Sequence, residues 1–161
     1  MSVPDRDEFA ELALKRVVAS GAEYGDIRLL DSTTQAIRGE DRRIASVREA
    51  QDSGFGIRVL YHGAWGFAAS SVLSLEEAPR VAELAIEIAK GSASLASERV
   101  KLTDEPTHRD RVVTAQRIDP FAVALERKTA LLLETMEYVH RQPGIVRSSA
   151  SLWARQDRKL F

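Results

Sequence analysis

The sequence predicts an α+β fold, an antiparallel β meander packed with helices and followed by a second helix–strand unit that is truncated at the C-terminus. Three observations carry this. Apolar residues near the N-terminus recur at helical spacing, the period switches to two between Asp26 and Ser70, and helical spacing then returns twice. With 161 residues, 44% hydrophobic and 29% charged, the chain suits one domain over residues 1–161. The charges nearly cancel, to a net −1, which argues for a folded globular protein and against a dedicated nucleic-acid binder.

Phe9, Leu12, Ala13 and Val17 set the stripe of the first helix, with Leu14 and Val18 beside it. Asp5 or Asp7 caps it, and Gly21 stops it. Asp26–Ile37 reads as a long strand, Arg38-Gly39-Glu40-Asp41 as a turn, and Arg43–Ala50 as a second, more polar strand. After an Asp52-Ser53-Gly54 turn comes a third strand, in which Phe55, Ile57, Val59 and Tyr61 form one apolar face. His62-Gly63 supplies a tight hairpin turn. The fourth strand carries Trp65, Phe67 and Ala69 on one face and Gly66 and Ala68 on the other.

Ser74 and Glu77 have the spacing of a capping box. The helix they open has Leu75, Ala78, Val81, Ala82, Ala85, Ile88 and Ala89 as its apolar face and Gly91 as its end. Pro79 cannot donate a backbone hydrogen bond, so the regular helix is expected to start later than the box suggests. Residues 92–118 are polar and read as a frayed helix end followed by an exposed connection. Asp119-Pro120 can open a further helix, although the strong stripe, Leu125, Leu132, Met136 and Val139, begins later. Pro143-Gly144 ends it. Val146–Ala154 alternates as a strand with Ala150, Leu152 and Ala154 inward, Gln156-Asp157 reads as a turn, and Lys159-Leu160-Phe161 as the start of another strand. Helix followed by strands thus occurs over residues 8–70 and again from 125, which predicts an internal duplication cut short and an N-terminal piece of a larger protein.

Little in this sequence supports independent chemistry. With no cysteine, disulfides, thiolate zinc sites and cysteine nucleophiles are excluded. His62, His108 and His140 lack a second ligand at metal-binding spacing and read as surface histidines. No G-x-S-x-G elbow is present, and Ser70-Ser71 reads as loop and cap. Glu76-Glu77 sit at a helix N-terminus, where negative charge is structural, and Asp104-Glu105 lie in a polar loop. Gly54-Phe55-Gly56 is a lone G-x-G inside a strand rather than a phosphate loop. Arg38, Arg42, Arg43 and Arg48 are interleaved with Glu40, Asp41 and Glu49, so a solvated hairpin fits better than a phosphate-binding patch. The crowded glycines of one hairpin are less ordinary. Gly54, Gly56, Trp65 and Gly66 are candidate contacts for a peptide strand or a partner, set against a twisted hairpin packed under a helix. No apolar run approaches the ~18 residues of a membrane span, and the acidic N-terminus lacks a signal-peptide pattern, so a cytoplasmic location is expected.

The segment Gly21-Ala22-Glu23-Tyr24-Gly25-Asp26-Ile27-Arg28 resembles the first helix–strand junction of the TldD/PmbA family, known also as modulators of DNA gyrase or microcin-processing peptidases. The resemblance strengthens at Asp52-Ser53-Gly54-Phe55-Gly56-Ile57-Arg58-Val59-Leu60 and Gly63-Ala64-Trp65-Gly66-Phe67-Ala68, similar to the family's D-x-G-x-G-x-R and G-x-x-G-F-A strands. Asp119-Pro120-Phe121 and Glu126 to Leu133 resemble its second N-terminal region, and the wording is closer to the TldD type than to the PmbA type.

The resemblance implies an α+β N-terminal region in front of a mostly β C-terminal region. In the TldD type that second region carries a zinc-binding H-E-x-x-x-H motif, and a dimer of two such subunits, alike or unlike, trims or degrades unfolded peptides. No H-E-x-x-x-H occurs here, so no catalytic or metal residue can be carried over and zinc is implied only for the missing region. The expectation is therefore a non-catalytic scaffold and dimerisation part of a zinc metallopeptidase, with no nucleic acid or membrane partner. The alternative is a stand-alone peptide-binding or protein-interaction module.

Overall fold

α1 spans Arg6–Ala19 and begins where Asp5 turns the chain, its carboxylate accepting hydrogen bonds from the backbone N–H groups of Asp7 and Glu8. Asp5 is thus the cap, and Gly21, at φ 76°, follows the helix end. These positions come from a computed structural model that describes residues 5–106 and 110–161. His108 lies outside the described residues.

Three strands follow, β1 (Tyr24–Glu40), β2 (Arg43–Tyr61) and β3 (Ala64–Ser70), then α2 (Glu77–Leu95), α3 (Leu125–His140) and β4 (Ser149–Leu160). The strands form one antiparallel four-stranded sheet in the order β3-β2-β1-β4, packed with helices, so the α+β expectation holds.

The chain divides into two compact units. The first comprises residues 1–31, 52–106 and 157–161, the second residues 32–51 and 107–156. In the first, Phe9, Ala13 and Val17 of α1 meet Ile27 and Leu29 of β1, Phe55, Ile57 and Val59 of β2, and the small apolar face of α2. Phe9 and Phe55 stack edge to face with centroids 4.7 Å apart. The face of α2 consists of Ala78, Val81, Ala82, Ala85, Ile86 and Ala89, so its backbone comes very close to β3. Gly66 lies at that approach, where a Cβ would overlap the carbonyl oxygen of Ala85 and the backbone nitrogen of Ala89.

In the second unit α3 buries Lys128, Leu132 and Met136, one turn apart along its stripe. Ile37 and Ala154 are buried in the same unit, and the Met136 thioether lies where a Cβ on Gly39 would stand. Gln35 is buried with them.

Several sequence expectations are corrected. β1 does not turn at Arg38-Gly39-Glu40-Asp41 but runs through Glu40, and the two-residue turn is Asp41-Arg42, both left-handed at φ 46° and 63°. The strain of a left-handed aspartate is offset locally, because Asp41 N–H donates to the Ser148 carbonyl and its carboxylate accepts from Ser148 N–H, each at 2.9 Å. Asp52-Ser53-Gly54 is no turn, and the second and third expected strands are one continuous strand of 19 residues. Pairing along the long β1 overrides the turn preference of those residues, and Ser53 is used instead to hydrogen-bond the Asp31 carboxylate. The His62-Gly63 turn is as expected, with both residues at positive φ.

The faces of β3 also differ from a simple apolar reading. Ala64, Gly66 and Ala68 are buried, whereas Phe67 is 57% exposed, because only small residues fit beneath α2. α2 starts at Glu77, which leaves Pro79 in the first turn, where its missing N–H costs no intrahelical bond. Ser74 Oγ accepts from Glu77 N–H at 3.3 Å, half of the expected box, and the helix continues past Gly91 to Leu95. α3 begins at Leu125, not at Asp119, whose carboxylate instead accepts from Phe121 N–H in a turn. The Gln156-Asp157 turn is likewise replaced by a continuous β4, of which Lys159 and Leu160 are the last residues. Ala150, Leu152 and Ala154 do face inward along it.

Candidate functional site

The β2–β3 hairpin holds the four residues singled out in the sequence. Its register pairs Gly56 with Ala69, Arg58 with Phe67, Val59 with Gly66 and Leu60 with Trp65. Directly opposed residues share a face, so Gly54, Gly56 and Trp65 lie on the side that carries Arg58 and Phe67, while Gly66 lies on the side of Ile57 and Val59. The structure therefore brings three of the four together and gives Gly66 a different reason, the close passage of α2. Gly56 makes room for a neighbour of its own, because a Cβ there would stand 2.8 Å from the Phe67 ring.

Around Trp65 the sequence had not marked the key partners. The Arg58 guanidinium lies over the indole at 5.1 Å, and Tyr24 meets it edge to face at 5.9 Å. Asp26 fixes Arg58 by accepting from its Nε at 2.9 Å and from a terminal nitrogen at 2.6 Å. Arg28 donates to the other oxygen of the same carboxylate at 3.2 Å and extends over the Phe161 ring at 5.3 Å. Hydrogen bonding to Asp26 raises the Arg58 pKa against the opposing effect of burial, and burial, with Asp26 nearby, raises that of the Tyr24 phenol. Both groups stay in their ordinary protonation states at neutral pH, so the cluster offers a fixed cation beside aromatic area rather than an acid–base pair. One signal was available: the D-x-G-x-G-x-R alternation places Arg58 on the same strand face as Gly54 and Gly56.

On the helix side of the first unit, Asp31 pairs with Arg6 of α1. Burial alone would raise its pKa, but hydrogen bonds from Ser53 and Arg6 hold the carboxyl below its ordinary value.

The second unit has a buried polar chain. Lys128, 4% exposed, donates from Nζ to Gln35 Oε1 at 2.5 Å, and Gln35 Nε2 donates to the Glu49 carboxylate. Lys128 falls between Leu125 and Leu132 on the apolar stripe of α3, where a charged residue reads as an interruption. Near the Asp41-Arg42 turn, His140 Nε2 stands 3.8 Å from Asp41 Oδ1 and Arg147 Nε 3.5 Å from its other oxygen. The hydrogen bond from Ser148 is the main cause that holds the Asp41 carboxyl low, with Arg147 and His140 adding to it. His62 sits in the β2–β3 turn with its ring 4.4 Å from Tyr61.

Among the described residues no three His, Asp or Glu side chains converge in a metal-binding group. No helix among the described residues is long and apolar enough to cross a membrane.

Comparison with known proteins adds a family. Residues 25–89 match the model described as PmbA/TldA metallopeptidase domain 1. A metalloprotease of Methanothermobacter thermautotrophicus is 30% identical over 129 residues, covering 80% of this chain and 27% of the relative. A metalloprotease of Methanocaldococcus jannaschii is 28% identical over 113 residues, covering 70% of this chain and 25% of the relative. The chain thus spans about a quarter of the length of these curated relatives. A crystal structure from Bacteroides thetaiotaomicron, described as a modulator of DNA gyrase, superposes with a TM-score of 0.75 at 14% identity, over 99% of this chain and 37% of that one. TldE from Thermococcus kodakarensis superposes with a TM-score of 0.63 at 14% identity, over 96% of this chain and 34% of that one. At these identities the two structures speak to the fold alone.

Proposed function

Because the chain belongs to the TldD/PmbA family through its N-terminal region, we propose that it is the scaffold and dimerisation part of a zinc metallopeptidase that acts on unfolded peptides, and that it does not itself hydrolyse them. The observation that carries this reading is the match of residues 25–89 to the family's first domain, with relatives named metalloproteases of whose length the match covers 25% and 27%. Zinc and the residues that bind it would belong to the region of those relatives that this chain does not span. The partner would be another subunit of the same family, alike or unlike. The rigid cluster of Asp26, Arg58, Trp65 and Tyr24 suits a wall of a peptide chamber or a subunit surface, since it presents aromatic area beside a fixed cation.

The test is expression of the complete gene product, alone and with a second family member, followed by zinc analysis, sedimentation and digestion of an unfolded protein such as casein. Bound zinc, a dimer and chelator-sensitive cleavage are expected, together with no cleavage by the 161-residue chain. Cleavage by the 161-residue chain that survives purification controls would sink the reading, as would a complete product without zinc or peptidase activity in either combination.

A second reading, a stand-alone interaction module, is favoured by the exposed side chain of Phe67. It predicts peptide affinity in the 161-residue chain and no gain of activity with any longer product.

A further inference from the structure

β2 is far longer than β3, which pairs with it only from Phe55 to Tyr61. From Arg43 to Gln51 the strand has β1 on one side and, among the described residues, no strand on the other. Arg43, Ala45, Val47, Arg48, Glu49, Ala50 and Gln51 are all exposed, although they alternate between the two faces of the sheet. Such an edge presents a row of backbone donors and acceptors, which is a template for another extended strand. Several side chains along it are small, as at Ala45, Ser46 and Ala50, so an incoming backbone meets little bulk.

The charges along this edge are unequal. Glu49 is engaged, because its carboxylate accepts from Gln35, whose carbonyl in turn accepts from the buried Lys128. Glu49 is thus held by a neutral amide, with the Lys128 ammonium one hydrogen bond further along the same chain. Arg43 and Arg48 have no ion-pair partner among the described residues. Five positions apart, they project to opposite faces of the strand.

We propose that the Arg43–Gln51 edge of β2 binds an extended acidic peptide segment by strand addition, with backbone hydrogen bonds supplying the affinity and Arg43 and Arg48 selecting carboxylates. The site is made wholly by the second unit and is separate from the Trp65 cluster. It needs neither zinc nor hydrolysis, so a failure of the peptidase reading leaves it standing.

The test is titration calorimetry on the 161-residue chain with capped peptides of matching length, built from Thr and Val. One carries Glu at two positions spaced like Arg43 and Arg48, a second carries Lys at those positions, and a third is the Glu peptide with alternate backbone amides N-methylated. The Glu peptide is expected to bind at least about tenfold more tightly than the Lys peptide, since like charges across an interface are strongly disfavoured. N-methylation of the strand edge that faces β2 is expected to abolish binding, and Arg48→Glu to reverse the preference between the Glu and Lys peptides. The N-methylated peptide needs no change to the protein, so a poorly folded variant cannot obscure the result. Equal affinity for all three peptides, no binding of the Glu peptide at millimolar concentration, or sedimentation showing that the edge is filled by a second copy would each overturn the proposal.

Discussion

The first unit packs Phe9, Ile57, Val59 and Val81 against one another, while the second closes α3 over Gln35 and Lys128 as well as Ile37 and Met136. One interior is held by dispersion and apolar burial, which tolerate small displacements. The other includes a buried cation whose environment is acceptable only while a particular amide points at it. Strands β1, β2 and β4 contribute to both units, so the same ribbon of backbone serves two kinds of interior. Secondary structure was therefore set by pairing over long strands, and the character of each interior by what the helices bring to it.

Four experiments sharpen this contrast. The largest effect is expected from Phe9→Ala, which empties the centre of the apolar interior and should lower stability by about 4 kcal/mol in urea unfolding. Gln35→Leu should cost about 3 kcal/mol, because it leaves the Lys128 ammonium buried without its acceptor. Lys128→Met alone should be far milder, and the double variant should recover most of the loss. Additive losses instead would show that Lys128 and Gln35 do not act as a pair.

Smaller effects separate two glycines. At Gly66 an added methyl meets the backbone of α2, which cannot yield without moving the helix, so Gly66→Ala should cost about 2 kcal/mol. At Gly39 it meets the end of the flexible Met136 side chain, which can swing aside, so Gly39→Ala should cost less than about 1 kcal/mol. Equal costs would mean that the α2–β3 approach is looser than its geometry states.

The smallest effect is a pH dependence confined to the start of α2. Hydrogen bonds from Arg80, and then Ser70, lower the Glu77 pKa from 4.5 to about 2. The folded value lies below the unfolded one, so the stabilisation is complete above 4.5 and is lost as pH falls through about 2. Unfolding midpoints measured from pH 5 down to pH 2 should therefore fall less steeply for Glu77→Gln than for the unchanged chain. Parallel curves would refute that assignment.

The sequence displayed the helices well because their stripes are written in residues close together along the chain: Phe9, Ala13 and Val17 needed no partner to be recognised. Strand ends were harder. Asp52-Ser53-Gly54 has turn chemistry, yet it lies extended, because the decision belongs to β1 across the ladder rather than to local preference. The same holds for Gln156-Asp157 within β4. Of the candidate site, the glycines and Trp65 could be read directly, whereas the pairing of Arg58 with Asp26 joins residues far apart in the chain and appears only once the strands are side by side. Lys128 was hidden for the opposite reason, since a charged residue on an apolar stripe reads as an interruption unless its buried acceptor is known.

The two tryptophans fall on either side of this division, Trp65 in the first unit and Trp153 in the second. The indole of Trp65 lies beneath a guanidinium and beside a phenol, whereas Trp153 is 65% exposed. The chain therefore carries its own pair of optical reporters. Emission from a Trp153→Phe variant tracks the melting of the first unit, emission from a Trp65→Phe variant tracks that of the second, and the two traces together reveal whether the halves of a shared ribbon come apart at one temperature or two.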